Sequence, residues 1–337
     1  MMKKILQNTA ISFVALTAIS AHAATNYTNG YSASTYYSMS SGDSVISFDW
    51  GADGAFYTMS TPGYSNVTVY RHSNGSSSPI YSNVNNFAGA SVVAIGDSIY
   101  FNDSNYSNDQ NIWQYNTSTG ITSSSPISTT SNYALFGHGG ELYITGAVGF
   151  GTNHIYHSAL DSNGGLASDP ATNLGETFGS SGPLAFDASG NLYYAPGFGD
   201  LSIYRWSFEE VAASIVDPVN NPLPTEDALW YNYSADFGSV SGGTGMIIDE
   251  DGELVISLTS FSGSSELVKF SVDSEGEYAG YESILSTSER LGDLRLYQGE
   301  VYFANGNEVL LLVPEPAAAA LLIGLCALAT GAVRRRR

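Results

Sequence analysis

Between residues 24 and 312 the apolar positions fall in short runs of three to five residues, separated by turns and polar loops, with no helical period. The runs recur as a unit. An apolar run comes first, at Val45 to Phe48, Val92 to Ile95, Tyr133 to Phe136, Leu184 to Phe186, Met246 to Ile248 and Leu294 to Leu296. A turn follows, then a second run centred on Tyr57, Tyr100, Tyr143, Tyr193, Val255 and Tyr302. A polar loop leads to a third run at Tyr70, Trp113, Tyr156, Tyr204, Val268 and Leu310. From second run to third the offsets are 13, 13, 13, 11, 13 and 8 residues, and successive second runs lie 43, 43, 50, 62 and 47 apart.

A period of this length with several short strands per unit predicts an all-β, six-bladed β-propeller. The first runs are expected to be the innermost strands. The turn glycines permit the left-handed backbone of a tight strand connection, and the aromatics are expected to pack between blades. Only Phe208 to Ser214 has a helical look, for about one turn. The sixth unit stops at Leu312 with one strand missing. The segment Asn26 to Met39 precedes the first unit and is expected to supply that strand, closing the ring and covering its edge.

Both ends read as targeting segments. Residues 1–23 have Lys3 and Lys4, an apolar run from Ala10 to Ile19, and the small residues Ala21 and Ala23 at a cleavage site, which is a secretory signal peptide. Residues 313–337 hold Pro314-Glu315-Pro316, a 17-residue apolar stretch from Ala317 to Val333, and Arg334, Arg335, Arg336 and Arg337. As a helix that stretch spans about 25 Å, at the short end of what crosses a bilayer. The terminal arginines hold its far end in the cytoplasm and leave residues 24–312 outside. This tail resembles the PEP-CTERM sorting signal of Gram-negative bacterial surface proteins. The resemblance implies an exosortase that reads Pro314-Glu315-Pro316 and removes the transmembrane helix after transient inner-membrane anchoring. It also implies an exopolysaccharide-producing host and a destination at the cell surface or outside the cell. Processing partners would be signal peptidase and the exosortase, with exopolysaccharide or other surface glycans as further partners.

Charge sharpens this division. The chain has 11 Lys and Arg against 32 Asp and Glu, a net of −21, but six of the cations lie in the two end segments. Residues 24–312 keep five cations, Arg71, Arg205, Lys269, Arg290 and Arg295, against 31 acids, a net of −26. So acidic a domain lacks the cationic footprint that nucleic acid needs. The single cysteine, Cys326, lies in the apolar tail, which excludes an internal disulfide framework and a cysteine-rich zinc site.

Within the repeats, residues 182–193 and 245–254 resemble NHL-type and gluconolactonase-type propeller repeats. That resemblance implies the fold and no activity, since propellers host unrelated functions. No catalytic set stands out, no metal site is assigned and no cofactor is called for. His72 and His138 stand alone, and His154 and His157, three apart in a strand, point to opposite faces. Asp161, Asp187, Asp249 and Asp273 begin turn sequences that do not fit a calcium loop, and turn formation is expected of them. Asp43, Asn86, Asn132, Glu289, Arg290 and Asp293 precede inner strands and are expected at one mouth of the central channel, where their oxygens suit Ca2+ or a sugar. The leading reading is a surface or matrix-associated protein with a structural or binding role, more non-enzymatic than enzymatic. The alternative is a carbohydrate-active propeller enzyme, lactonase-like or lyase-like, with its site in that mouth. A third reading is glycan or peptide binding through Tyr-rich loops such as Tyr231 and Tyr233 beside Trp230.

Overall fold

In a computed structural model the described residues are 25–28, 30–39, 43–62, 66–84, 91–102, 110–127, 131–147, 152–167 and 171–315. The described residues open with two strands, β1 (Thr25–Tyr27) and β2 (Tyr31–Ser38), and then build six antiparallel sheets in order. Blade 1 is β3 (Asp43–Trp50), β4 (Phe56–Pro62), β5 (Asn66–Ser73) and β6 (Ser76–Val84). Blade 2 is β7 (Val92–Ile95), β8 (Ser98–Asn102), β9 (Gln110–Asn116) and β10 (Ile121–Ile127). Blade 3 is β11 (Ser131–His138), β12 (Glu141–Ala147), β13 (Asn153–Ser158) and β14 (Thr172–Thr177). Blade 4 is β15 (Leu184–Phe186), β16 (Leu192–Tyr194), β17 (Ser202–Trp206) and β18 (Leu229–Asn232), with the helix α1 (Phe208–Val216) before its last strand. Blade 5 is β19 (Gly242–Ile248), β20 (Leu254–Thr259), β21 (Ser265–Val272) and β22 (Tyr278–Thr287). Blade 6 is β23 (Leu291–Tyr297), β24 (Glu300–Asn305) and β25 (Glu308–Pro314). Each of the six expected inner runs falls on the innermost strand of its sheet, and these strands contact one another around the axis.

The ring closes as the missing strand predicted. β2 pairs antiparallel with β25, setting Ala33 opposite Leu312 and Tyr31 opposite Pro314. The segment does a second job that the sequence pattern did not reveal: β1 adds to blade 5 as a fifth strand, with Thr25 opposite Thr287. One N-terminal stretch therefore supplies the outermost strands of two neighbouring blades. The last strand also runs past the expected boundary at Leu312. Proline has no N–H to give a ladder, but at the final position of a strand none is required, so Pro314 is accommodated there.

The 13-residue spacing now has a geometric meaning. Tyr57 pairs with Arg71 and Tyr70 with Thr58, so the two aromatics of one unit stand on opposite faces of the blade. Tyr57 packs towards blade 2 with Ile99 and Phe101, while Tyr70 packs towards blade 6 with Tyr302 and Val309. The same division holds for Tyr100 and Trp113, Tyr143 and Tyr156, Tyr193 and Tyr204, and Val255 and Val268. Six apolar clusters result, one per blade interface, and each fully buried large apolar side chain in them contributes about 1.5–3 kcal/mol. The interface that closes the ring is the most aromatic: Trp50 stacks on Tyr297 at 4.3 Å and receives Tyr36 edge-on at 5.5 Å.

Local chemistry follows the same plan. Gly54, Gly96, Gly140, Gly190, Gly252 and Gly299, in the turns between inner and second strands, all have positive φ. Asp161, Asp187, Asp249 and Asp273 each accept the backbone N–H groups two and four residues on, which is the turn duty expected of them. The helical look at Phe208 to Ser214 extends to nine residues. Ser207 and Glu210 form a reciprocal capping box that starts it.

Candidate functional site

A network of polar side chains lies among the inner strands. Four of the inner strands carry register shifts near their starts, and in β23 the shift between Leu291 and Leu294 leaves Asp293 outside the ladder. Glycines let the neighbouring backbone come close at this point. A Cβ on Gly245 of β19 would collide with the Asp293–Leu294 peptide. Asp293 is thereby held in the interior at 6% exposure. Its Oδ2 accepts from Ser47 Oγ of β3 at 2.5 Å, and Arg295 Nη2 lies 2.8 Å from the same oxygen. Arg295 Nη1 donates to Asp293 Oδ1 at 2.9 Å, so the pair is bidentate. The guanidinium also donates through Nη2 to the Val92 carbonyl at 2.7 Å, and its Nε lies 3.5 Å from Asp49 Oδ2. Asp49 in turn accepts the Ala94 N–H at 2.8 Å.

One cation thus serves the buried Asp293 and the half-buried Asp49 and ties the neighbouring blades 6, 1 and 2 together. Burial raises the Asp293 carboxyl to about 6 despite the attraction of Arg295, and burial likewise raises Asp49. The space left beside this network, bounded by Ser91, Leu135, Pro183, Thr244, Met246 and Arg295, measures about 20 Å3. That is room for about one water molecule.

Of the residues expected at a channel mouth, Asp293, Glu289 and Arg290 each have their own neighbours. Asp293 lies inside the inner strand and is committed to Arg295. Asp43 and Glu289 flank the Gly306 turn of blade 6: Val45, two residues after Asp43, donates its N–H to Gly306 O, and the Glu289 carboxyl sits beside Gly306. Asn132 is opposite Gly146 in β11, and Asn86 lies outside the described residues. Arg290 rests over the Phe261 ring at 5.4 Å. Among the described residues no three His, Cys, Asp or Glu side chains converge as a metal cluster would. The Tyr-rich loop reading is corrected for the residues that suggested it. Tyr233 and Trp230 are buried at 0% and 9%, and Tyr231 stacks on Tyr278 at 3.8 Å; all belong to the interface of blades 4 and 5. Burial was missed there because a strand end and a polar loop share the same Tyr-Asn-Tyr wording.

The histidines are structural in their contacts. His72 bridges Thr58 Oγ1 at 2.8 Å and Ser77 Oγ at 2.7 Å, and burial lowers it to about 4. His154 lies 3.7 Å from Glu176, and His157 lies 2.8 Å from Glu141, so the two do not share a ligand. His138 stacks on Phe186 at 4.1 Å and helps line a cleft of about 450 Å3 between blades 3 and 4, walled by Val211, Ala212 and Ile215 of α1. Nothing in the sequence points to this cleft, because its helical wall shows there as a single turn. Its carboxylates are engaged locally, Glu141 by His157 and Asp187 by its own turn and Asn191.

Of the targeting residues, Pro314 and Glu315 are described. Glu315 donates its N–H to Gly30 O at 2.7 Å. Ala21, Ala23, Pro316, the apolar stretch and Arg334 to Arg337 lie outside the described residues. Among the described residues no helix is long and apolar enough to cross a membrane.

No model of a known protein family matches the chain, and no curated protein matches it in sequence. Solved structures match its fold. A PQQ-bound aldose sugar dehydrogenase from Streptomyces coelicolor superposes with a TM-score of 0.56 at 10% identity, over 86% of this chain and 100% of that one. A luciferin-regenerating enzyme gives 0.54 at 11% identity, over 80% and 91%. An α-L-arabinanase from Penicillium chrysogenum complexed with arabinobiose gives 0.52 at 12% identity, over 84% and 97%. The structural neighbours are six-bladed propellers, and at such identities the likeness shows the fold alone.

Proposed function

We propose that this chain is an exported, surface- or matrix-associated propeller with a structural or binding role, sorted through a C-terminal PEP-CTERM tail that an exosortase removes. The observation that carries the non-catalytic part is the Asp293–Arg295 network lodged among the inner strands. A propeller enzyme working on its axis needs a cavity for substrate, typically a few hundred Å3, and the space beside the Asp293–Arg295 pair among the described residues measures about 20 Å3. The raised Asp293 carboxyl is the feature that favours the carbohydrate-active alternative, since a general acid needs such a shift. Its two oxygens, however, are occupied by Ser47 and Arg295.

The sorting part rests on the order of proline motif, apolar stretch and arginines at the end of the chain. The position of Pro314 supports it: the motif begins where β25 ends, so removing the residues beyond Pro314 takes no strand from the ring. The test is fractionation of the native host with and without its exosortase, followed by intact-mass measurement. Sorting predicts loss of the tail and a surface or extracellular location only when the exosortase is present. Unchanged mass and location in both strains would overturn it.

A further inference from the structure

Three exposed phenylalanines of blades 3 to 5 share one face, the face onto which the loops before the inner strands open; the fourth, Phe208 of α1, is on the opposite face beside the Gly190 turn. Phe178, Phe198 and Phe261 are 43%, 59% and 61% exposed. Phe178 follows β14, Phe198 lies between β16 and β17, and Phe261 lies between β20 and β21. Phe198 and Phe261 are 6.2 Å apart, Phe178 stacks on Tyr204 at 5.0 Å, and Arg290 of the next loop lies over Phe261.

These loops are fixed. A Cβ on Gly182 would strike the Ala195 carbonyl, one on Gly197 the Ser181 carbonyl, and one on Gly242 the backbone of Gly197. Glycine at all three positions lets the loops of Phe178 and Phe198 pack backbone against backbone with the start of β19. The Phe261 loop is tied by Ser260 Oγ, which donates to Ser239 O at 3.0 Å and accepts from Gly263 N–H at 2.7 Å. Ser180 N–H donates to Phe198 O at 2.9 Å, Gly197 N–H to Ser180 O at 3.2 Å, and Gly243 N–H to Pro196 O at 2.9 Å. Beneath them the buried Tyr194 hydroxyl donates to Ser180 O at 2.6 Å, and Asn153 Nδ2 donates to that hydroxyl at 3.1 Å. A mobile loop would turn its phenylalanine inward to escape water. Here the backbone has no such freedom, so three rings stay in solvent at a standing hydrophobic cost. A surface held in its bound shape before the ligand arrives loses little entropy on binding.

We propose that Phe178, Phe198 and Phe261 form a preorganised platform for an uncharged polysaccharide, a reading that rests on the binding role above and names its site. The apolar faces of sugar rings stack on the phenylalanines, and the serine-rich loops between them (Ser180, Ser181, Ser241 and Ser262) meet the hydroxyls. Charge selects among occupants. Residues 24–312 carry a net of −26, so acidic polymers and anionic lipid headgroups are repelled. The nearby cation, Arg290, already lies on Phe261.

The test is affinity electrophoresis of the full chain in a polyoxyethylene detergent, whose headgroup contains no sugar, through native gels containing hydroxyethylcellulose, dextran, galactomannan or alginate. Retardation is expected in at least one neutral polymer and not in alginate. Phe198→Ala and Phe261→Ala should each weaken it several-fold and together abolish it, while Val219→Ala, an exposed apolar change in another loop, should not. Unchanged melting of the variants confirms that they fold. Retardation that survives both phenylalanine changes overturns the platform but leaves a binding role standing. No retardation in any neutral polymer overturns the platform and weakens the binding role with it. Phe-dependent sedimentation with phosphatidylcholine vesicles, or Phe-dependent dimerisation, in place of polymer binding would overturn the glycan assignment.

Discussion

Replacing Arg295 with methionine keeps much of the side chain's bulk and removes the cation that the buried Asp293 and the half-buried Asp49 share. In the native protein Asp293 stays ionised at pH 8, about two units above its raised pKa. Without the guanidinium the chain can avoid an unpaired buried charge by protonating that carboxyl. At pH 8, against a pKa of about 6, this costs roughly 3 kcal/mol at 1.36 kcal/mol per unit. Losing the donor to the Val92 carbonyl and the ion pair with Asp49 adds about 1–2 kcal/mol. The sum agrees with the roughly 3–5 kcal/mol typical of breaking one partner out of a buried pair. At pH 5 the carboxyl is already largely protonated and the first cost disappears, so the destabilisation should fall to about 1–2 kcal/mol. Urea unfolding of both proteins at pH 5 and pH 8, followed by tryptophan fluorescence, measures this directly. A loss below about 1 kcal/mol at pH 8, equal to that at pH 5, would show that the network is open to water and refute the reasoning.

Three further outcomes follow from the same geometry. Asp293→Asn leaves Arg295 facing Asp49 alone. Because Asp293 binds its proton more tightly folded than unfolded, it contributes stability that grows as pH falls from about 6 towards 4, and this part of the pH dependence should vanish in the variant's unfolding curves. His72 is shifted the other way, to about 4, so it withdraws stability as pH falls from 6.5 through 4. His72→Gln should flatten that acid-side loss in thermal melts, and an unchanged slope would show that the ring is not held neutral by burial. Ala33→Cys with Leu312→Cys, made with Cys326→Ala, places thiols on directly opposed residues of β2 and β25. The pair should oxidise to one intramolecular disulfide on a non-reducing gel, whereas Tyr31→Cys with Leu312→Cys, two residues out of register, should not.

The six blades were legible because a blade repeats its chemistry: a turn, an aromatic, a fixed interval and a second aromatic. Tyr57 and Tyr70 need no knowledge of their neighbours to show that interval. Closure was legible as a deficit, since the sixth unit ended one strand short and Asn26 to Met39 had no other assignment. The extra pairing of β1 with β22 was not, because three residues of Thr-Asn-Tyr carry no signal of which edge they cover. The channel network was opaque for a different reason. Ser47 and Asp293 are 246 residues apart, and an Asp-Leu-Arg sequence in a strand is indistinguishable from a solvated face until the bulge at Leu291–Leu294 turns it inward. The Phe platform was hidden by glycines that look like ordinary loop residues. Only their contacts reveal that Gly182, Gly197 and Gly242 hold loops together instead of loosening them.

The proposed structural or binding role requires that the space around Arg295 among the inner strands be closed to small molecules. Ser91 lines the remaining space at 4% exposure, and cysteine replaces serine with little change in size. The decisive measurement is the rate at which a charged methanethiosulfonate reagent modifies Ser91→Cys in a Cys326→Ala background, compared with the exposed Ser118→Cys. A closed space predicts modification at least about 100-fold slower than at position 118, as expected for a thiol reached only through local opening, with protection lost when Arg295→Ala is added. Modification within about tenfold of the exposed thiol, unaffected by Arg295, would mean that this space admits small molecules and would contradict the account.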